Sequence, residues 1–427
     1  MVIPLAGRKR PLFLTGTFLL VVVYVALVSK EFAASYFAAR PTLPNLQRAV
    51  WLSPGDAHYR HRLGRYFAFV AANPQTAVEN YLIAARLNPH EARFWFDLAS
   101  AQRVVGNSDG QRVAIERAVE AEPTAPDVAW EAANFFLVTG DNERAFHEFR
   151  AVVDNEPNLS DAAYQTVWRV SPDVDVLLRE VVPPRTSSLL SFLNFLTTKK
   201  DTEGTIKVWN RIMDLHESFE PRFLFDYVRF LVLNHRPDAA SAAWEEASGP
   251  LNLSSYLPSA DNLIVNGDFN FDILNGGFDW VYVARNGVHL QLDPSDYRQG
   301  NRSLSINFEG PGIADAGIGQ IIAVHSLTTY EFTAYYKSAE FQGAGGPQLV
   351  LRDAYTGALL FASDPLTDAD FWKPVHATFS TPPSTNLLSL NVERFPSGSP
   401  IRGKLWLDNF SLSPVARDSN DGPKDHL

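Results

Sequence analysis

Three textures follow one another along the chain. From Pro11 to Ser29 nineteen residues run without a charge, with Arg8, Lys9 and Arg10 directly before them and Lys30 and Glu31 after. At ~1.5 Å per residue such a helix spans roughly 28 Å, close to the hydrocarbon thickness of a bilayer. The basic flank keeps residues 1–10 cytoplasmic, so residues 11–29 read as a transmembrane helix with nearly everything else beyond the membrane. A cleavable signal peptide is the rival reading, because Ala33 and Ser35 form a small-x-small pattern ending at Ser35. From about residue 40 to 255 apolar residues recur at helical spacing, and from about 262 to 414 they alternate with polar ones between Gly and Pro turns. The predicted fold is multidomain, α plus β: a spanning helix, an α-solenoid, an antiparallel β-sandwich of the jelly-roll kind, and a disordered tail over 415–427.

The helical part is periodic. Pro54, Pro89, Pro123 and Pro157 are spaced 35, 34 and 34, Gly106 and Gly140 lie 34 apart, and Trp209 and Trp244 lie 35 apart. Such a period fits two antiparallel helices and two short turns, each unit burying its apolar face against its neighbours. Trp95, Leu98, Ala99, Gly106, Ile115, Ala118 and Pro123 in one unit, and Ala129, Ala133, Phe136, Gly140, Ala145, Phe149 and Pro157 in the next, resemble the tetratricopeptide repeat. Gly64, Ala77, Tyr81, Ala84 and Pro89 match it more loosely, and the pattern decays after Pro157. The resemblance implies a concave groove lined by the first helix of each pair and holding a protein partner. Phe96, Ser100 and Arg103, then Trp130 and Asn134, fall one residue beyond the packing positions and are expected to face it. Packing of Phe96 and Trp130 against an adjacent helix is the plain alternative.

In the last third, Leu304, Ile306 and Phe308 alternate with Ser305 and Asn307, and Tyr330, Phe332, Ala334 and Tyr336 alternate with Glu331, Thr333, Tyr335 and Lys337. About ten such strands in roughly 150 residues indicate a two-sheet sandwich. NLIVNGDFN, GNRSLSI and LWLDNFSL resemble the opening, central and closing strands of carbohydrate-binding modules and their galactose-binding-like relatives. That resemblance implies polysaccharide binding. It also implies a structural calcium tying first strand to last, for which Asp268, Asn270 and Asp408 stand at the corresponding places, with Asn270 where a glutamate is usual. Sugar recognition pairs an aromatic face with planar polar side chains. The candidates are Tyr282, Tyr297, Tyr335, Arg352 and Trp372, with Arg285 and Gln348 nearby in sequence; Trp280 and Trp406 are expected in the core.

Composition narrows the function. Lys+Arg 37 against Asp+Glu 48 gives a net charge of −11, which repels phosphate backbones and excludes nucleic acid as a partner. With Cys 0 there is no disulfide, thiolate metal site or thiol nucleophile. His90, His147 and His216 are each followed by Glu, but none has the second His of a zincin helix, and neither a phosphate loop nor a nucleophile elbow occurs. No enzyme is expected and no cofactor is required. The parts suggest a scaffold anchored by one span in the inner (cytoplasmic) membrane with its bulk in the periplasm, docking a protein in the helical groove and a glycan on the sandwich, in cell-envelope or exopolysaccharide assembly or export. Two alternatives stand beside it: a pure protein-interaction scaffold whose sandwich binds no sugar, and an accessory or catalytic subunit of a carbohydrate-active enzyme.

Overall fold

The computed structural model describes residues 9–415; the first eight residues and nearly all of the expected tail lie outside it. Helix α1 (Lys9–Ala38) comes first. Its segment from Arg10 on is long and apolar enough to cross a membrane, and none of its apolar window is buried. Two compact units follow from the contacts, one ending at Pro184 and one beginning at Arg185.

In the first unit α2 (Leu43–Leu52) packs along α1, and hairpins α3 (Ala57–Phe69) with α4 (Pro74–Leu87), α5 (Ala92–Val104) with α6 (Ser108–Ala121), and α7 (Pro126–Val138) with α8 (Asn142–Asn155) follow in series. Shorter α9 (Ser160–Val170) and α10 (Val174–Glu180) close the unit. The repeat has local causes. Asn73, Asn107 and Asp141, 34 residues apart, each accept a hydrogen bond from a backbone N–H in the first turn of the second helix of their hairpin. Gly106 and Gly140 take φ of +79° and +81° where the first helix ends. Ala84, Ala118, Ala133 and Ala145 are fully buried where helices come close, and Gly64 lies under the Tyr81 ring, which a Cβ there would meet at 2.7 Å.

The second unit contains two further hairpins, α11 (Thr186–Lys199) with α12 (Thr202–Asp214) and α13 (Pro221–Leu233) with α14 (Pro237–Ser248), together with the sandwich. The ten strands are β1 (Val281–Tyr282), β2 (Val288–Asp293), β3 (Ser303–Gly312), β4 (Asp315–Ala323), β5 (Thr329–Gln342), β6 (Gly346–Asp353), β7 (Leu359–Ala362), β8 (Lys373–Ser380), β9 (Leu387–Phe395) and β10 (Pro400–Pro414). They form two antiparallel five-stranded sheets of order β1-β4-β9-β6-β7 and β2-β3-β10-β5-β8. Ile306, Phe332, Leu351, Leu390, Leu405 and Leu407 belong to the shared core between them. Trp280 is in that core, whereas Trp406, also buried, sits on the outer side of its strand among Lys337, Lys404 and Asp293. The opening segment NLIVNGDFN is not a strand. It runs beside β10 through Leu263 N–H to Leu412 O and Phe410 N–H to Gly267 O, but Asn266 and Phe269 take positive φ and break the extension.

Secondary-structure class changes near residue 262, yet compactness breaks near 184, because the last hairpin is keyed into the sandwich. The Gly276-Gly277 turn lies on Phe225 and Trp244, and the Tyr355 hydroxyl donates to Val232 O at 3.1 Å. At Gly277, with φ +63°, a Cβ would come within 1.9 Å of the Trp244 ring. Gly277→Ala is therefore expected to lower unfolding stability by roughly 2–5 kcal/mol from backbone strain and overpacking together. Gly55→Ala, facing open space, should change it little; urea unfolding of both variants checks this.

Candidate functional site

Strand alternation decides what the first sheet shows outward. In β9 it turns Leu388, Leu390 and Val392 into the core and Ser389, Asn391 and Glu393 out; in β6 it turns Gln348, Val350 and Arg352 out. Register then joins them into rows. Val281, Gly319, Asn391, Val350 and Ala362 face one another across β1, β4, β9, β6 and β7, and Asp315, Glu393 and Gln348 form a neighbouring row. Helix α13 roofs this face with Phe225, Asp226, Arg229 and Val232, leaving a cleft of about 1040 Å³ within the second unit.

The charges of the cleft are largely neutralised inside it. Arg352 holds Glu393 with two bonds, Nε to Oε1 at 3.0 Å and Nη2 to Oε2 at 2.9 Å. Arg285 holds Asp315 in the same way at 3.0 and 3.2 Å, and Arg229 pairs with Asp226 at 3.1 Å. Arg394 is buried without a carboxylate and donates instead to the carbonyls of Phe395, Ala344 and Pro400; burial holds its pKa below the usual guanidinium value. Two amides remain available. Gln348 uses its Nε2 on Ser363 O at 2.7 Å and keeps its oxygen free, and the Asn391 amide, set beside Gly319 where a Cβ would crowd it, has no hydrogen-bond partner among the described residues.

Of the five residues expected to bind sugar, only Arg352 lines this cleft. Tyr282 follows Val281 along β1 and so points away from the face that Val281 occupies. Tyr297 is exposed in the β2–β3 loop, and Trp372 is half-buried just before β8. Tyr335 does face outward, but from the second sheet, where the Arg298 guanidinium lies 3.5 Å over its ring. Tyr282 thus belongs to the first sheet, whereas Tyr335 and Trp372 lie on and just before neighbouring strands of the second, β5 and β8, and Tyr297 precedes the arginine that covers Tyr335. The aromatic residues of the cleft are Phe225 and Phe395. Arg285 and Gln348, expected beside the sugar candidates, also line the cleft, whereas Asn391 was not among them; the alternation in LLSLNVERF was the signal available for it.

The residues proposed for calcium sit together but are satisfied by hydrogen bonds. Buried Asp408 accepts from the backbone N–H groups of Arg298, Gln299 and Asn409 at 2.7, 3.1 and 2.7 Å. Burial, with the charge of Asp268 nearby, raises its pKa despite those bonds. Asn270 donates to Asp268 and accepts from Asn301 N–H. Backbone donors point where an ion would need lone pairs, and no group of three or more His, Asp or Glu able to hold a metal occurs among the described residues.

In the first unit the expected groove residues do meet: Phe96, Ser100, Arg103, Trp130 and Asn134 line one depression of about 350 Å³. Trp130 also packs edge-on against Phe149 at 5.5 Å, and Asn134 Nδ2 donates to Trp130 O, so both are partly engaged within their own hairpin.

No protein-family model matches the sequence, and no curated protein matches it either. Among solved structures, the C-terminal sandwich is similar to one titled "CBM4 structure and function", 18% identical over 36% of this chain and 99% of that one, with TM-score 0.28. It is also similar to the CBM22-1 xylan-binding domain of Paenibacillus barcinonensis Xyn10C, 20% identical over 38% and 99% of the two chains, TM-score 0.26. The crystal structure of MamA protein is 12% identical over 45% of this chain and 90% of that one, TM-score 0.25. Likeness at this level carries nothing about ligands.

One buried acid beside the cleft sets a pH signature. Desolvation raises the Asp279 carboxyl to about 6, against bonds that include Leu274 N–H, and its Oδ1 has no partner. The folded state then binds the proton more tightly than the unfolded chain, so Asp279 costs stability as pH rises from about 4 to 6, roughly 3 kcal/mol in all. Asp279→Asn is expected to flatten that rise in cost, read as urea midpoints at pH 4.5 and 7.5 for variant and wild type.

Proposed function

We propose that the C-terminal sandwich is a non-catalytic carbohydrate-binding module whose ligand lies in the cleft between α13 and the sheet β1-β4-β9-β6-β7. The observation that carries this reading is the outward face of planar polar side chains on β6 and β9, Gln348, Arg352, Asn391 and Glu393, two of them with unused amide atoms. Sugar hydroxyls both donate and accept, and fixed amides and ion-paired side chains answer them in both senses. Mutual neutralisation of three arginine–carboxylate pairs favours a neutral over a charged polysaccharide. Asp226, Asp315 and Glu393, the carboxylates that line the cleft, are each engaged in an ion pair with an arginine, whereas glycoside hydrolysis works with two carboxyl groups facing the substrate.

The rest of the chain fits a tethered scaffold. In this reading α1 is an uncleaved span of the cytoplasmic membrane, the bulk is periplasmic, and the hairpins follow the tetratricopeptide pattern, docking a protein at Phe96, Ser100, Arg103, Trp130 and Asn134. Cell-envelope or exopolysaccharide assembly or export is the setting. A second reading, a protein segment in the sandwich cleft, is favoured by its apolar walls, Val232, Val281, Val283, Val350 and Leu359.

Affinity electrophoresis of the full chain in gels cast with soluble neutral polysaccharides separates the two. Retention by at least one is expected, weakened about 5- to 10-fold by Asn391→Ala or Gln348→Ala, as befits loss of one hydrogen bond of ~1 kcal/mol. Absence of retention on every polysaccharide, acidic ones included, would leave only the protein reading.

A further inference from the structure

Helix α1 has 30 residues, about 45 Å of helix, whereas a bilayer's hydrocarbon is roughly 30 Å thick. Its charge-free run ends at Ser29, and Lys30 and Glu31 mark the polar boundary. The Ser53 hydroxyl donates to the Glu31 carboxylate at 3.0 and 3.1 Å, which brings the C-terminal end of α2 back to a level two residues past Ser29. Trp51 lies at that end, 78% exposed, and makes no hydrogen bond or ring contact among the described residues. On α1 itself Phe32, 73% exposed, and Tyr36 share the face opposite Ala34 and Ala38, which are buried. Trp51 and Phe32 thus stand exposed close to the polar boundary, with Tyr36, about half exposed, one turn further along α1. Just beyond them, Arg40 stacks over Tyr36 at 4.6 Å and Arg48 over Phe37 at 5.5 Å. Indole and phenol rings favour the zone where headgroups meet acyl chains, with long cationic side chains reaching to the water side.

We infer that Trp51, with Phe32 and Tyr36, forms a second membrane contact that docks the α1–α2 corner into the headgroup–acyl boundary of the bilayer that α1 crosses. The inference rests on α1 being a membrane anchor. Its partner is the lipid interface itself, neutral lipid sufficing, since the contact is aromatic. With two points held, the spanning helix and the α2 corner, the first helical unit keeps a fixed tilt over the membrane.

The chain has no cysteine, so Leu20→Cys and Trp51→Cys each carry one NBD label on the full-length protein in phosphatidylcholine vesicles. A phosphatidylcholine with a nitroxide high on its acyl chain and aqueous iodide serve as the two quenchers. The label at position 20 is expected to respond to lipid nitroxide and not to iodide; that at 51 should respond at least threefold more to the nitroxide than to iodide. A label at 51 quenched by iodide alone, with position 20 still in lipid, overturns the docking and leaves the anchor standing. Iodide quenching at both overturns the anchor, and the docking with it. A label-free measurement guards against disturbance by the dye: nitroxide lipid should quench tryptophan emission more in the wild type than in Trp51→Phe, and equal quenching overturns the docking.

Discussion

The seating of Trp244 and Phe225 on the Gly276-Gly277 turn is the contact on which the second unit is organised. A sandwich linked to a helical array by a free tether would offer its outer sheet to solvent. Here a side-chain-free turn lets two rings approach the backbone, the last hairpin is fixed, and α13 becomes the fourth wall of a space that the strands alone could not enclose. The Tyr355 hydroxyl on Val232 O and the His235 ring 4.3 Å from Tyr355 pin the other end of the same helix. Everything proposed for the cleft presumes this roof.

The two sheets of the sandwich are used in opposite ways. The second sheet closes its own outer surface. Trp406 is buried between Lys337 and Lys404, and its indole N–H reaches Asp293 at 2.9 Å. Burial alone would push the Asp293 carboxyl up, but bonds from Ser295, Trp406 and Lys404 outweigh it and hold it well below the usual carboxylate range. Arg298 and the backbone of the β2–β3 loop are fastened to Tyr335 and Asp408 on the same side. The first sheet, by contrast, keeps amide groups uncommitted and pairs its charges only with one another. A surface satisfied by its own loop has little left for a ligand, whereas one with unspent polar atoms does.

Helices and strands were readable because each depends on near neighbours in sequence. The 34-residue spacing of Gly106 and Gly140 repeats a local steric need, and within a repeat the offset from one hairpin to the next is fixed by the chain. That is why Phe96 and Trp130, one residue beyond packing positions in successive units, were found lining one depression. The cleft was not readable in this way. Gln348, Asn391 and Gly319 are brought side by side by the register of strands distant in sequence, and the wall opposite comes from a helix more than eighty residues earlier. Alternation told which side of β6 and β9 a residue takes; it could not tell that Tyr335, outward by the same rule, belongs to the other sheet. The NGDF segment misled for a related reason: its match to an opening strand was sound in composition, but positive φ at Asn266 and Phe269 turns the chain, and the Trp280 indole bonds to Asn266 O.

Helix α1 runs unbroken from Lys9 to Ala38, without a glycine or proline between Thr17 and its last turn. A helix continuous across the boundary between lipid and water behaves as a stiff mast and not as a leash. If α1 is the anchor proposed above, whatever twists or tips the first helical unit turns the embedded segment as well.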